Sequence, residues 1–262
     1  MKKYLIKNFR LLRKHLYGKM MNSWLNACLS KKALTHIQML NFYSQFIEEG
    51  DLCFDVGANF GNRTKVFLEL GAKVVCIEPQ QLCLRKLRRL FRSNKNIIIV
   101  DNALGDHQGY GEIDICEEEP TISTMSDKWK HDGRFSKNYK WGKKQRVIVT
   151  TLDSLIELYG MPKFCKIDVE GFEKSVLRGL TAPIPFISFE FTREFFDDAK
   201  KCISHLSSIE TVMFNCSIGE SMELLFPNWV TPERLYEKLD ASDDDLLWGD
   251  VYVKFTENTV CQ

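Results

Sequence analysis

The sequence predicts an α/β domain built on a mostly parallel sheet. Three observations carry this prediction. From residue 51 onward, short apolar strand-like runs alternate with helix-like segments, as in parallel sheets covered by helices on both faces. A glycine-containing turn follows the first of these strands, and an acidic residue, Glu78, ends the second. The composition is that of a globular chain, since 44% of the 262 residues are hydrophobic and 27% are charged.

The predicted elements follow one another without an internal repeat or a low-complexity segment. Gly71 ends one helix in the manner of a C-cap, and Pro79 opens the next. The polar excursion 117–145 interrupts the alternation. Loops of this length are usually functional or disordered, and its aromatic residues either stack on a ligand or hold the loop to the body. Strands are expected at 51–56, 73–78, 97–100, 110–116, 146–151, 164–168, 186–191, 209–214 and 251–255, and helices at 31–48, 62–70, 79–92, 152–159, 171–179, 194–207 and 232–239.

The first residues are strongly basic. Residues 1–47 contain nine Lys/Arg and no Asp or Glu, which leaves 27 Lys/Arg against 35 Asp/Glu, a net charge of −8, in the remainder. Residues 3–16 have the apolar spacing of an amphipathic helix. We therefore divide the chain into a basic helical extension, residues 1–48, and an α/β domain, residues 49–262. A helix docked on the body is favoured over attachment to an anionic membrane, and nucleic acid is the least favoured partner.

Cysteine usage and hydropathy indicate the compartment. The nine cysteines form no Cys-x-x-Cys pair, which favours reduced thiols over a disulfide framework or a zinc site. The sequence lacks the run of about 18 uncharged apolar residues that a transmembrane helix requires. Its charged beginning also lacks the apolar centre of a secretory signal. The expected location is cytoplasmic, with peripheral contact at the inner membrane face as an option.

The turn after the first predicted strand, Asp55-Val56-Gly57-Ala58-Asn59-Phe60-Gly61, has the character of a nucleotide site. Its glycines permit a sharp turn and a close approach of ligand to backbone. The helix that follows directs N–H groups toward that ligand. Glu78 ends the next strand, 23 residues after Asp55, where a carboxylate can hold the hydroxyls of a ribose.

The glycine spacing decides between nucleotide ligands. A dinucleotide site requires Gly-x-Gly-x-x-Gly around a pyrophosphate, whereas this turn reads Asp-x-Gly-x-Asn-x-Gly. The leading Asp55 would repel a pyrophosphate and suits the ammonium group of a methionine moiety. S-adenosylmethionine is therefore favoured over a nicotinamide cofactor. A plain tight turn without a ligand is disfavoured by Glu78.

Together with motifs further along the chain, this turn resembles those of FkbM-type methyltransferases. The resemblance covers roughly residues 50–255, and its most specific part is the string 166–173 followed by Val176-Leu177-Arg178-Gly179. The similar segments are Asp55–Gly61, Glu78-Pro79, Asn102-Ala103-Leu104-Gly105, Thr151-Leu152-Asp153 and Lys166-Ile167-Asp168-Val169-Glu170-Gly171-Phe172-Glu173.

The resemblance implies a class I methyltransferase fold, a Rossmann-like three-layer sandwich whose seven-stranded sheet has an antiparallel last strand. It implies S-adenosylmethionine as methyl donor and a hydroxyl oxygen as acceptor, often on a sugar or a natural product. Position by position, it implies that the methionine part is surrounded by Asp55, Gly57, Asn59 and Gly61, the ribose held by Glu78, the adenine bordered by Asn102 and Ala103, and both cofactor and acceptor faced by Asp168.

Asp168, Glu170 and Glu190 are the predicted catalytic residues, because all three fall at the carboxyl ends of predicted strands. Clustered carboxylates raise one another's pKa, which favours a general base. The same groups could hold a divalent cation, but we favour a base without a metal and assign no metal ligand. An alternative for Glu170 is a role at the N-terminus of the following helix.

Glu190 marks a departure from the family pattern. Relatives often have a histidine after this glutamate, whereas Phe191 and Thr192 follow it here. A proton acceptor supplied by that histidine is therefore missing, and the base is not assigned to one residue. An alternative for Glu190 is an ion pair with Arg193 or Lys174.

The acceptor is expected to be a hydroxyl-bearing small molecule, a glycan or glycolipid, or a natural product. The helix at 79–92 carries Arg85, Arg88, Arg89 and Arg92, for which a solvated face is favoured over contact with anionic lipid. Methylation of nucleic acid is an alternative, although no Asn-Pro-Pro-Tyr-like string is present. A nicotinamide oxidoreductase and a non-catalytic module are less favoured, since both acidic residues of the cofactor motif are present. The sequence makes no prediction of oligomeric state.

Overall fold

The computed structural model describes residues 31–256. Two short 3-10 helices, Pro120–Ile122 and Arg193–Phe195, accompany the main elements. The strands are β1 (Leu52–Val56), β2 (Lys73–Ile77), β3 (Ile97–Val100), β4 (Ala103–Leu104), β5 (Gly109–Ile115), β6 (Lys143–Thr150), β7 (Phe164–Ile167), β8 (Phe186–Thr192), β9 (Val212–Ile218) and β10 (Trp248–Phe255). The α-helices are α1 (Lys31–Tyr43), α2 (Asn62–Glu69), α3 (Gln81–Leu90), α4 (Asp127–Asp132), α5 (Leu152–Tyr159), α6 (Glu173–Arg178), α7 (Phe196–Ile209) and α8 (Pro232–Asp240).

Seven strands form the main sheet in the order β3-β2-β1-β7-β8-β10-β9. The pairs from β3 to β8 are parallel, and β10 runs antiparallel to both of its neighbours, β8 and β9. The chain adds β2 and β3 on one side of β1 and then β7 and β8 on the other side. The strand order therefore reverses beside β1, and ligands bind at such a switch point in open α/β sheets. The predicted class I methyltransferase fold, with its antiparallel last strand, is confirmed.

A second, three-stranded sheet has the order β4-β6-β5. Strands β5 and β6 form the predicted antiparallel pair around the excursion 117–145. Within the excursion, Trp129 is buried in α4, and Trp141 donates its indole N–H to the carbonyl of Ile122 at 2.9 Å. The Trp141 bond lies within the excursion, whereas the ring of Trp129 packs against that of Phe195, 5.7 Å away, and holds the excursion to the body, as one of the two interpretations of its aromatic residues requires.

The strand predicted at 209–214 is present but begins later, since β9 spans Val212–Ile218 and α7 continues to Ile209. Helix α7 buries Cys202 and Leu206 at helical spacing, and this periodicity carries the helix past the predicted boundary. The end of β9 is buried but contains polar side chains. One of them, Asn215, accepts from the N–H of Phe226 at 3.1 Å. A polar strand end of this kind gives no apolar pattern to predict from.

Hydrophobic clusters cover both faces of the sheet, and α1 contributes to one of them. Phe46, just after α1, is 4% exposed, and its ring stacks on those of Phe164 and Tyr252 at 5.5 and 5.3 Å. Residues 31–47, which the sequence assigned to the extension, therefore share the core of the domain. The predicted helix at 3–16 lies outside the described residues.

Two further sequence predictions concern cysteines and membrane spans. Within residues 31–256, the cysteines are free thiols and all are buried. This agrees with the prediction of reduced thiols for that part of the chain. No helix in this same range has both the length and the apolar character needed to cross a membrane.

Replacing Phe46 with alanine removes a ring that two aromatic side chains contact. We expect Phe46→Ala to lower the free energy of unfolding by about 3–5 kcal/mol, as for other buried phenylalanines. Urea denaturation followed by circular dichroism measures this. Leu158→Ala, at a side chain that is 69% exposed, serves as the control and should change stability by less than about 0.5 kcal/mol. Equal stability of the two variants would contradict the docking of this segment in the core.

Candidate active site

The carboxyl ends of β1, β2, β3 and β7 open onto one cleft. It gathers residues from the turn after β1, from the end of β2, from the connection between β3 and β4, and from the segment after β7. The sequence-predicted residues that line it are Gly57, Asn59, Glu78, Asn102, Ala103 and Asp168. Residues far apart in the chain thus meet where the order of the sheet predicts a ligand.

The turn after β1 is shaped by two residues with left-handed backbone angles. Gly57 has a φ of 75°, and a Cβ added there would lie 1.8 Å from the carbonyl oxygen of Asp168. Only glycine fits this approach of the turn to the end of β7. Asn59 has a φ of 50°, and its buried side-chain oxygen has no hydrogen-bond partner within residues 31–256. A cationic group of a ligand, such as an ammonium, would satisfy this oxygen.

Glu78 lies at the wall of the cleft and is 2% exposed. One carboxylate oxygen accepts from the N–H of Asn59 and the other from the N–H of Gln80, each at 2.7 Å. Burial raises the pKa of Glu78 to about 7, against the lowering effect of these two donors. Each oxygen keeps a further lone pair, so a ribose hydroxyl can still bind.

Two of the predicted cofactor residues do not line the cleft. The carboxylate of Asp55 is buried below it and accepts a hydrogen bond from the hydroxyl of Thr64 on α2. Gly61 precedes α2 with a φ of 78°, and a Cβ there would meet Leu87 and Phe91. Asp55 thus ties β1 to α2, and Gly61 lets α2 pack against α3, while contact of these two residues with a methionine moiety stays a prediction.

Sequence reasoning missed several residues around the cleft. The side-chain amide of Gln80 donates to the carbonyl of Pro120 at 3.1 Å, and that of Gln145 donates to the carbonyl of Pro79 at 2.7 Å. These bonds fasten the excursion against the end of β2. Gln80 could have been noticed beside the Glu78-Pro79 motif, whereas Gln145 carries no motif and is found only from the structure.

Asp168, Glu170 and Glu190 are brought together as predicted. Each offers a carboxylate oxygen, and these oxygens all lie within 4.8 Å of one another. Glu170 holds a left-handed φ of 55°, a conformation that costs a non-glycine residue about 1–3 kcal/mol and is found most often at functional sites. Oxygen ligands at this separation are also compatible with a divalent cation.

The alternative structural roles for these glutamates are not seen. Glu173, not Glu170, accepts from the N–H groups that precede α6, those of Val169 at 2.9 Å and Gly171 at 3.3 Å. Glu190 forms no ion pair within the described residues. Its two expected partners are engaged elsewhere, since Lys174 pairs with Asp198 and Arg193 donates to backbone carbonyls near the end of α8.

The charges in this cluster are only partly balanced. Lys166 is 1% exposed, and its ammonium donates to Asp168 at 3.1 Å and to Asp250 on β10 at 2.9 Å. Burial and the neighbouring carboxylates raise the pKa of Glu170 well above its ordinary value, and the same causes act on Glu190. A carboxylate with a raised pKa is a stronger base, so the cluster is suited to accept a proton.

A second pocket adjoins the cleft. It includes Glu190, and Met125 and Phe172 lie between the two because they line both. Two buried polar atoms in its wall, Nε1 of Trp129 and Oγ1 of Thr192, lack a hydrogen-bond partner among residues 31–256. Unpaired buried groups are rare in native proteins, and ordered water or a ligand can pair with them.

His131 does not belong to either pocket. It is exposed, and its Nδ1 lies 2.7 Å from the carbonyl of Asp127, one turn earlier in α4. His131 is therefore a solvated surface side chain of α4.

Comparisons with known proteins extend this picture. Similar solved structures include the precorrin-6Y C5,15-methyltransferase of Geobacter metallireducens GS-15, with 9% identity over 87% of this chain and 90% of that chain and a TM-score of 0.45. An rRNA methylase of Streptococcus thermophilus is 10% identical over 88% and 99% of the two chains, with a TM-score of 0.40. Aeropyrum pernix fibrillarin, crystallised with natively bound S-adenosyl-L-methionine, is 11% identical over 79% and 68%, with a TM-score of 0.37. A search of curated proteins finds no significant match.

The family assignment rests on a domain match. The Methyltransferase FkbM domain matches residues 55–216, which is well over half of the chain. This range begins at the turn after β1 and includes the carboxylate cluster. The cleft also fits the cofactor that the match implies, because Asn59 has an unpaired side-chain oxygen and Glu78 presents a carboxylate at the end of β2. The chain belongs to the FkbM methyltransferase domain family, and it is a methyltransferase whose cofactor is S-adenosylmethionine.

Proposed function

We propose that this chain methylates a hydroxyl oxygen of a sugar, a glycan or glycolipid, or a natural product. The observation that carries the proposal is the position of Asp168, Glu170 and Glu190. Their carboxylates meet within 4.8 Å, between the cofactor cleft and the second pocket. A hydroxyl acceptor must lose its proton as its oxygen attacks the methyl group, and a carboxylate at this position can receive that proton.

In this proposal each wall of the cleft holds one part of the cofactor. Asn59 and the turn at Gly57 receive the methionine part, and Glu78 receives the ribose hydroxyls. Asn102 and Ala103 border the adenine. Asp55 acts indirectly, by holding α2 through Thr64.

The cofactor supplies a methyl group already activated on a sulfonium. The task of the protein is then to align the acceptor oxygen and to remove its proton. An O–CH₃ bond forms as the S–CH₃ bond breaks, and the hydroxyl proton passes to a carboxylate of the cluster. Glu170 and Glu190 suit this step because burial and like charge raise their pKa. No histidine is required beside Glu190, where Phe191 stands.

The acceptor in this proposal occupies the second pocket. Its walls offer the unpaired indole N–H of Trp129, the unpaired hydroxyl of Thr192 and the carboxylate of Glu190. A ring that carries several hydroxyls can both donate to the carboxylate and accept from the indole. A purely apolar acceptor would leave all three groups unpaired, which is costly in a buried site.

A panel of acceptors tests the proposed reaction. We expect the protein to release S-adenosylhomocysteine in the presence of hydroxylated glycan or glycolipid acceptors, with mass spectrometry locating the new methyl group on oxygen. Glu190→Gln keeps the shape but cannot take the proton, and it should lower kcat about 10²–10⁴-fold. Transfer to nitrogen or carbon would overturn the proposal. Activity that persists in EDTA supports a carboxylate base, whereas activity that needs Mg²⁺ assigns proton removal to a bound cation.

Trp129 provides a test of the acceptor pocket. Trp129→Phe removes the indole N–H while keeping a ring in the wall, so a hydrogen bond to the acceptor is lost. We expect the KM for the acceptor to rise about tenfold, as one hydrogen bond permits, while the affinity for S-adenosylhomocysteine stays the same. Trp141→Phe is the matched control, since that indole already donates to a carbonyl. A rise in KM in the control alone would contradict the assignment.

Glu78 predicts a pH dependence of cofactor binding. Its pKa of about 7 means that the ribose-binding carboxylate is protonated below that pH and charged above it. The affinity for S-adenosylhomocysteine should therefore rise with pH, by about tenfold between pH 6 and pH 8 if the charged form alone binds. Calorimetry at several pH values measures this. Glu78→Gln should bind weakly with a flat pH profile, and a profile unchanged from that of the original chain would exclude Glu78 as its cause.

A further inference from the structure

The outward side of α3 is an unusually basic surface. Residues 81–95 contain six Lys/Arg and no Asp or Glu, although the chain after residue 47 carries a net charge of −8. Arg88 pairs with Asp101 at 3.1 Å. Arg85, Lys86, Arg89 and Arg92 have no carboxylate partner within residues 31–256.

Helix geometry places apolar side chains among these cations. Helix α3 buries Cys83, Leu84 and Leu87 against the body. Leu82 shares the opposite side with the residues three, four and seven positions later, which are basic. Leu82 is 43% exposed and Leu90 is 57% exposed. We call this surface the α3 face, and it consists of Leu82, Arg85, Lys86, Arg89, Leu90 and Arg92.

One edge of the α3 face forms a shallow depression. Its cationic wall is made of Lys86, Arg89 and Arg92, and its apolar part of Phe60 and Leu90. The ammonium of Lys86 lies 3.6 Å from the centre of the Phe60 ring. Cations around an apolar floor suit a phosphate group that is attached to an apolar chain.

We propose that the α3 face binds the surface of an anionic phospholipid bilayer. Unpaired cations near such a surface are attracted to its negative charge, and exposed leucines among them can enter the boundary between headgroups and acyl chains. A nucleic acid would leave Leu82 and Leu90 without an apolar partner, and Lys86 already covers the Phe60 ring that could stack on a base. Phe60 follows Asn59, so the membrane lies beside the cofactor cleft.

Vesicle flotation with the full chain tests this proposal. The protein should bind vesicles of phosphatidylglycerol and phosphatidylcholine but not vesicles of phosphatidylcholine alone. The triple variant Arg85→Gln, Arg89→Gln, Arg92→Gln should bind about a hundredfold more weakly, because each cation contributes roughly 1 kcal/mol at such a surface. The double variant Leu82→Ser, Leu90→Ser should also bind more weakly, with its charge unchanged. Either variant binding like the original chain would overturn the proposal.

A second triple variant controls for net charge. Lys73→Gln, Lys137→Gln, Lys140→Gln removes the same charge from exposed positions elsewhere and should keep vesicle binding. An equal loss in this variant would show a general charge effect and overturn the proposal. All variants should keep their affinity for S-adenosylhomocysteine, which separates this outcome from a failure of the proposed reaction.

Two competitors distinguish other sources of phosphate. Inorganic phosphate should not displace the protein from vesicles when its ionic strength matches that of the chloride buffer. Displacement would identify a site for free phosphate instead and overturn the proposal. Transfer RNA should compete with the vesicles only through its negative charge. Its binding should therefore be the same for the original chain and for the double variant Leu82→Ser, Leu90→Ser. Tighter binding of RNA than of vesicles, lost in the triple variant, would assign the α3 face to nucleic acid and overturn the proposal.

Discussion

The close approach of the turn after β1 to the end of β7 is the constraint on which the site depends. The carbonyl of Asp168 lies where a side chain at Gly57 would have to be. The contact brings the cofactor turn and a carboxylate of the cluster into one rigid unit. A methyl donor held by the turn is thereby placed beside the groups that can receive a proton, without any mobile segment between them.

Much of this arrangement could be predicted from the sequence, and for a definite reason. Strand alternation and the Asp55–Gly61 and Asp168–Glu173 strings locate the carboxyl ends of β1 and β7, and parallel strands bring such ends to one edge. Prediction from the sequence is less informative about which neighbour a given side chain contacts. Asp55 was expected in the cofactor cleft because its charge suits an ammonium, but Thr64 engages it below the cleft. Spacing alone cannot tell an acidic residue that faces a ligand from one that faces a helix.

The excursion between β5 and β6 could be located but not interpreted from the sequence. Its aromatic residues were compatible with ligand stacking and with anchoring. The structure shows anchoring for Trp129, whose ring packs against Phe135 and Phe195, and it leaves the buried Nε1 of this residue without a partner among residues 31–256. Hydrogen-bond satisfaction, which distinguishes these uses, depends on tertiary neighbours and leaves no trace in residue spacing.

The ion pair between Lys166 and Asp250 has a consequence for the folding of the newly synthesised chain. Asp250 lies on β10, which inserts between β8 and β9 although it is the last strand along the described residues. Before β10 is in place, the ammonium of Lys166 lacks Asp250, one of the two carboxylates to which it donates. Tyr252 of the same strand completes the ring stack on Phe46. The packing at the centre of the molecule is therefore complete only when almost the whole described chain has been synthesised. A shorter nascent chain lacks these contacts of β10.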